Sequence, residues 1–287
     1  MTRYVIITPV RDEEKYVAAT VESVVSQSVR PVEWVIVDDG STDRTGEIVD
    51  RYAAQFPWIR VVHRGNRGFR KAGGGVIEAF YDGYSQLACN DWEFIVKLDG
   101  DLTFSPNYFE ECFARFRREP QLGIGGGEIY HDISGRQKLE RNPRFHVRGA
   151  TKIYGRKCWE AIGGLFAAPG WDTIDEVKAN MLGWKTYSFS DLRLLHHRLT
   201  GTSQGLLRDR MKHGMACYVS GYHVLFVAAS CARRLIQRPY ILGSAAMFAG
   251  FIRGYVSRRP RVDDARFINY VRAQQLRRLC GLETIWK

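Results

Sequence analysis

Four short apolar, β-rich runs, at residues 4–8 and 33–37, Ile59–His63 and Phe94–Leu98, alternate with stretches of helical spacing. Strands that short, each followed by a helix, pair in parallel through right-handed crossovers. This constrains the chain to an α/β fold with a mostly parallel sheet flanked by helices. Pro9 is expected to close the first strand. Residues 13–28 carry Val17, Thr20, Val21, Val24 and Val25 on one side and predict a helix. A second helix is expected over 43–54, capped by Ser41 or Thr42, and a third near 75–87.

After Asp101 the pattern loosens. The spacing predicts a helix over 106–118, strands over 122–130 and 151–154 with a polar insertion between them, and a helix over 174–182 closed by Gly183. Residues 185–190 and 192–196 read as two strands, and beyond Thr200 the chain turns helical, basic and apolar. The expected organisation is a domain over 1–205 and a helical region over 206–287, with the Pro239 region the clearest break.

Charge follows the same division. From Arg193 onward there are 17 Lys+Arg against 4 Asp+Glu, a balance of +13, while the first 192 residues stand at −2. A near-neutral body with a basic tail implies an anionic partner. Two apolar runs, the fifteen residues 218–232 and the twelve residues 241–252, are edged by Arg233, Arg234, Arg238 and Arg253. A bilayer span takes about 20 residues, so these predict helices lying on an anionic membrane surface. The tail's aromatics are not interleaved with its arginines as stacking platforms, which excludes nucleic acid. No P-loop and no Gly-x-Gly-x-x-Gly is present, which counts against NTPase and dehydrogenase chemistry.

Six cysteines are scattered without Cys-x-x-Cys spacing, and Met1-Thr2-Arg3 leads straight into a strand. Both features point to a reducing, cytoplasmic compartment, and the tail adds an expected peripheral association with the inner face of the cell membrane.

Three segments carry chemistry. Leu98-Asp99-Gly100-Asp101 ends the fourth strand, where ligands bind in such sheets. Two carboxylates one residue apart can hold Mg²⁺ or Mn²⁺ and leave positions open for phosphate oxygens; an Asp-Gly surface turn is the plainer alternative. Val37-Asp38-Asp39-Gly40-Ser41-Thr42-Asp43 ends the second strand, with Asp39 placed to read a base or ribose and Asp38 tied to neighbouring backbone. Ile7-Thr8-Pro9-Val10-Arg11-Asp12-Glu13-Glu14 ends the first.

Together, in this order and spacing, the three segments resemble family 2 glycosyltransferases, inverting enzymes of the GT-A fold that use nucleotide-sugar donors. The resemblance covers residues 1 to about 200. It implies that Pro9, Arg11 and Glu13 contact the nucleoside, that Asp39 reads the base or ribose, and that Asp99 meets the ribose or the metal. Asp101 would ligate the divalent metal. Asp12 stands where that family usually has Asn. A loop cation, Arg70 or Lys71, would neutralise phosphate charge.

The resemblance also assigns Asp172 as the base that takes the acceptor's proton. Trp171 replaces the family's usual Glu there and implies an aromatic wall beside the sugar. Asp175 and Glu176 are competitors for the role, and Asp172 or Thr173 could instead cap the helix. Of the pair His196-His197, His197 is favoured to complete the metal site, with Arg198 near the leaving group. The remaining histidines are isolated in sequence. The implied donor is a UDP-, GDP- or dTDP-sugar, and the implied acceptor a glycan or lipid-linked glycan in polysaccharide or glycolipid assembly. Transfer to a polyprenyl phosphate is the nearest alternative. Nucleotidyl transfer is a further one, but the acidic, glycine-free turn after the first strand fits it poorly.

Overall fold

A computed structural model describes residues 2–68, 74–133, 135–198, 205–236 and 239–286. The first half is β1 (Tyr4–Val10), α1 (Val17–Val25), β2 (Glu33–Asp38), α2 (Thr45–Gln55), β3 (Ile59–His63), α3 (Gly74–Ser85) and β4 (Phe94–Leu98). Then come β5 (Leu102–Phe104), α4 (Tyr108–Arg118), β6 (Leu122–Ile133), β7 (Arg136–Leu139), β8 (Thr151–Gly155), α5 (Arg156–Ile162), α6 (Trp171–Met181) and β9 (Lys185–His196). The tail is α7 (Leu206–Val219), α8 (Val224–Arg234), α9 (Tyr240–Val256) and α10 (Ala265–Leu279).

The sheet runs β3-β2-β1-β4-β8-β6-β9-β5, with β7 paired to β6. It is parallel from β3 to β4 and mixed beyond. The chain winds outward from β1 to β3 and then crosses back to β4, so the carboxyl ends of β1 and β4 flank a topological switch point where ligands bind. β1 runs two residues longer than expected. Pro9 lies past Ile7, the last residue paired to β4, and there a strand tolerates proline.

Alternation along β1 and β2 feeds two cores. Tyr4, Ile6, Trp34 and Ile36 pack under α1, α2 and α4, while Val5, Ile7, Val35 and Val37 pack under α3 and α5. A third core joins the tail to the body, through Ile174 and Val177 of α6 against Tyr218, Val227, Phe251 and Val271. Burial of a side chain such as Phe251 stabilises by about 1.5–3 kcal/mol, so the tail helices are fixed against the helix that carries Asp172.

Several local expectations change. Neither Ser41 nor Thr42 caps α2; Asp43 Oδ1 accepts from the Thr45 amide at 3.0 Å, while Ser41 and Thr42 bond Asp12 instead. The two strands expected over 185–196 are one strand, β9, irregular opposite Gly127 and Glu128. The apolar run 218–232 is not one helix, because Gly221 takes a left-handed φ of +69° between α7 and α8. Pro239 is the N-cap of α9 and marks a turn inside the helical tail. There α7 and α9 meet closely: a Cβ on Gly214 would lie 1.8 Å from the Met247 carbonyl oxygen. Among the described residues no helix is long and apolar enough to cross a membrane. All six cysteines are free thiols.

Candidate functional site

Residues of β4 are almost fully buried, and the chain leaves the sheet through Asp99-Gly100-Asp101. Gly100 is required there, since a Cβ would stand 2.5 Å from Val10 Cγ1 at the end of β1. β5 then pairs antiparallel with β9, Leu102 opposite His196. That register sets His196 Nε2 3.2 Å from Asp101 Oδ1. Asp99 receives an ion pair from the buried Lys97, whose Nζ also donates to the Gly149 carbonyl at 2.6 Å.

The next residue goes the other way. His197 Nε2 lies 3.1 Å from Thr103 Oγ1, and its ring stacks on Tyr16 with centroids 5.7 Å apart. His197, expected to complete a metal site, thus turns to Thr103 and Tyr16, while His196 turns to Asp101, because successive side chains of an extended strand point to opposite faces.

A divalent cation fits this cluster. One ligand atom each from Asp99, Asp101 and His196 lies within 4.8 Å of the others. Beyond the 3.2 Å contact of Asp101 Oδ1 with His196 Nε2, the buried Asp101 Oδ1 and His196 Nδ1 have no hydrogen-bond partner among the described residues. Burial lowers the affinity of His196 for a proton, but Asp101, Asp99 and Glu140 outweigh it and raise the pKa. Two carboxylate oxygens and an imidazole suit Mn²⁺ better than Mg²⁺.

At the ends of β1 and β2 the predicted nucleoside residues are held by cations. Arg11 donates to the Asp39 carbonyl at 2.9 Å and to Asn66 Oδ1 at 3.0 Å. The Asp39 carboxylate, nearly buried, is gripped by Arg64 at 2.5 Å and by Arg67. Glu13 accepts from Arg198 Nη2 at 2.7 Å. Asp38 accepts from the Ser41 amide at 2.9 Å and sits 3.1 Å from His63 Nδ1. Asp12 adopts φ +53°, a region that Asn and Asp enter more readily than other side chains. Arg70 and Lys71 lie outside the described residues. Among the described residues, two loop cations that the sequence reading did not single out, Arg64 and Arg67, reach Asp39.

α6 begins three residues earlier than expected, at Trp171 after a left-handed Gly170. Asp172 thus stands in the first turn, and no side chain caps the helix. Its Oδ2 lies 3.8 Å from Arg148 Nη1 and 4.0 Å from His146 Nε2. Burial raises its pKa, yet His146, Lys152, Arg148 and Lys97 together lower it below the usual carboxylate value, so Asp172 is ionised at neutral pH.

The two competitors are consumed elsewhere. Lys152, fully buried, lies 2.9 and 3.0 Å from the Asp175 oxygens and 2.8 Å from Glu176 Oε1. Tyr154 donates to Asp175, and His146 Nδ1 meets Glu176 Oε2 at 2.8 Å. Trp171 is nearly buried, with Lys97 and Lys152 Nζ 5.4 and 5.5 Å from its ring.

A polar chain connects the two ends of the site. Arg148 bridges Asp172 to Glu140 at 3.0 Å, and Glu140 meets His131 Nε2 at 3.1 Å. His131 Nδ1 in turn lies 3.2 Å from the His196 carbonyl, and the two imidazoles are 5.1 Å apart. His131 and His146 look isolated in sequence, and Glu140 and Arg148 sit in or near the polar insertion. Only the polarity of that insertion hinted at them. Asp172 opens into a cleft of about 720 Å³ between α6 and the tail helices.

The family model for Glycosyl transferase family 2 matches residues 5–168. Glycosyltransferase GlyG of Streptococcus pneumoniae is 29% identical over 145 residues, which are 50% of this chain and 43% of that protein. The chain thus spans less than half of that relative. Two solved structures share the fold at low identity. The mannosyltransferase PcManGT of Pyrobaculum calidifontis, in complex with GDP-Man and Mn²⁺, has TM-score 0.57 and 15% identity over 89% of this chain and 75% of its own. S. aureus TarS 1–349 with UDP-GlcNAc has TM-score 0.54 and 16% identity over 94% and 79%.

Proposed function

Because the chain belongs to glycosyltransferase family 2, matching that family over residues 5–168, we propose that it moves a sugar from a nucleoside-diphosphate donor to an acceptor hydroxyl with inversion. The observation that carries this reading is the placement of an ionised Asp172 at the N-terminus of α6. Arg148, Glu140 and His131 link it to the Asp99–Asp101–His196 cluster at the switch point. The solved relatives bound to GDP-Man and UDP-GlcNAc support a nucleotide-sugar donor.

In this reading Pro9, Arg11, Glu13 and Asp39 form the nucleoside end, with Asp99 toward the ribose and Arg70 or Lys71 toward the phosphates. Asp101, Asp99 and His196 hold a divalent cation, which when bound offsets the charge of the diphosphate leaving group. Asp172 accepts the acceptor's proton as its oxygen attacks the anomeric carbon, and Arg148 and His146 keep the carboxylate ionised and aimed. Residues 1–205 make the catalytic domain, and residues 206–287 a helical region that closes the acceptor side.

We assign the acceptor to a glycan at an anionic membrane surface. Ile236, Ile241, Leu242 and Val256 of the tail are 66–84% exposed, among arginines that would meet lipid headgroups. Family membership and that exposed tail together support a role in polysaccharide or glycolipid assembly at the cytoplasmic face of the membrane.

The test is a thermal-shift panel of UDP, GDP, dTDP and CMP with and without Mn²⁺, on the wild-type chain and Asp101→Ala. A ligand at 100 times its dissociation constant adds about 2.7 kcal/mol. Stabilisation by one nucleoside diphosphate, dependent on Mn²⁺ and lost in the variant, is the expected result. Indifference of the wild type to every nucleotide sinks the reading.

A further inference from the structure

The cleft beside Asp172 carries more positive charge than the fold uses. Six Lys and Arg side chains line it, namely Arg141, Arg148, Lys212, Arg233, Arg234 and Arg278, against the carboxylates of Asp172 and Asp209. Those two carboxylates already have cations, Arg148 at 3.8 Å and Lys212 at 3.9 Å. No carboxylate oxygen among the described residues lies within 4 Å of Arg141, Arg233, Arg234 or Arg278. Arg234 is half-buried, and among the described residues its guanidinium donates only back to the Ser230 carbonyl of its own helix, at 3.2 Å.

Partial burial of a guanidinium between like charges is unfavourable. Burial and the neighbouring Arg210 and Arg233 lower the pKa of Arg234, outweighing the opposing influence of Cys217 and Cys231. Adjacent guanidinium forks match the oxygens of a phosphate and hold it in a fixed orientation. A neutral glycan would leave them unpaired. At about 720 Å³ the cleft has room for a phosphorylated sugar or polyol unit.

We infer that this cleft takes an acceptor bearing a phosphate ester, with the phosphate held by Arg233 and Arg234 and a hydroxyl of the same unit facing Asp172. The phosphate is a recognition group here, not the nucleophile. The inference rests on Asp172 being the base in the transferase reading above. Phosphate on a soluble polyol and phosphate in a lipid headgroup share this chemistry, and the arms of the test separate them.

Calorimetric titration of the full chain, with its preferred nucleoside diphosphate and Mn²⁺ present, would use glycerol 3-phosphate and, as a carboxylate control, glucuronate. Sedimentation with phosphatidylcholine vesicles containing phosphatidic acid supplies the lipid arm. The expected result is that R233Q/R234Q weakens glycerol 3-phosphate or phosphatidic-acid binding by about tenfold or more, with nucleoside diphosphate affinity unchanged. Loss confined to the vesicle arm assigns the phosphate to a lipid. Should R233Q/R234Q melt early, R141Q/R278Q gives the same readout from two other arginines that line the cleft. Equal binding of glucuronate, binding indifferent to all four arginines, or competition between glycerol 3-phosphate and the nucleoside diphosphate each overturns the inference. Failure of the wild type to bind any nucleoside diphosphate is a separate outcome and overturns the transferase reading instead.

Discussion

His196 Nε2 stands 3.2 Å from Asp101 Oδ1, a pairing set by the antiparallel register of β5 and β9. Its neighbour His197 turns to Thr103 and Tyr16 instead. His196→Ala is therefore expected to weaken Mn²⁺ binding by at least about tenfold, while His197→Ala leaves it close to wild type. Titration of Mn²⁺ followed by electron paramagnetic resonance reads both. Equal losses in the two variants would contradict the assignment.

Asp172 is the only carboxylate of the Asp172–Asp175–Glu176 trio not already consumed by buried partners. Replacing it with Asn keeps the shape and removes the proton acceptor, so kcat should fall by about 10²–10⁴. Affinity for the nucleoside diphosphate should not change. Single-turnover transfer alongside nucleotide binding separates the two; a fall in nucleotide affinity of similar size would place Asp172 at the donor instead.

His146 is buried 2.8 Å from Glu176 and 4.0 Å from Asp172. Burial lowers its pKa, but Glu176 and Asp172 outweigh that and raise it. The charged imidazole in turn lowers the pKa of Asp172. His146→Gln removes the cation, so the acid limb of kcat/KM should move to higher pH. For stability the sign follows from the raised pKa. The contribution is complete below the unfolded-state value, and it is lost as pH rises through the higher folded-state value. A pH–rate profile with an unmoved acid limb would dissociate His146 from Asp172.

Lys152 is fully buried between Asp175 and Glu176. Burial raises the Asp175 carboxyl, with Glu176 adding to it and Lys152 opposing. Lys152→Met leaves Asp175 without its cation and Glu176 with only His146 beside it, at a cost of about 3–5 kcal/mol. Urea unfolding at pH 7 reads this directly. A change below about 1 kcal/mol would mean that the carboxylates protonate without penalty.

The tail exposes Ile236, Ile241, Leu242 and Val256 near arginines. Sedimentation with phosphatidylglycerol vesicles should capture the chain, with binding falling steeply between low and physiological salt, since each nearby cation contributes about 1 kcal/mol. Ile241→Asp with Leu242→Asp should release it. Capture that is independent of lipid charge would remove the electrostatic part of the proposal.

Much of the fold was legible in order. Ile59–His63 and Phe94–Leu98 are strands with the bounds read from sequence, since apolar β-branched runs bounded by polar turns leave little freedom. The ends of elements were less legible. α6 begins at Trp171 instead of residue 174 because Gly170 takes a left-handed φ of 85° that starts the helix early, and no side-chain cap announces it. The run 218–232 reads as one helix by hydropathy, but Gly221 breaks it.

By itself the sequence determined the strand–helix alternation, the carboxylates at the ends of β1, β2 and β4, and the charge division between body and tail. These are local properties, set by periodicity and by residue type at strand ends. Only the tertiary structure decided that His196 and not His197 joins Asp101, that Asp175 and Glu176 are spent on Lys152, and that His131, Glu140 and Arg148 connect Asp172 to the metal-type cluster. Each of those outcomes depends on strand register or on contacts between segments tens of residues apart. Sequence pattern carries no record of register between distant strands, because the pairing is selected by burial of whole faces at once.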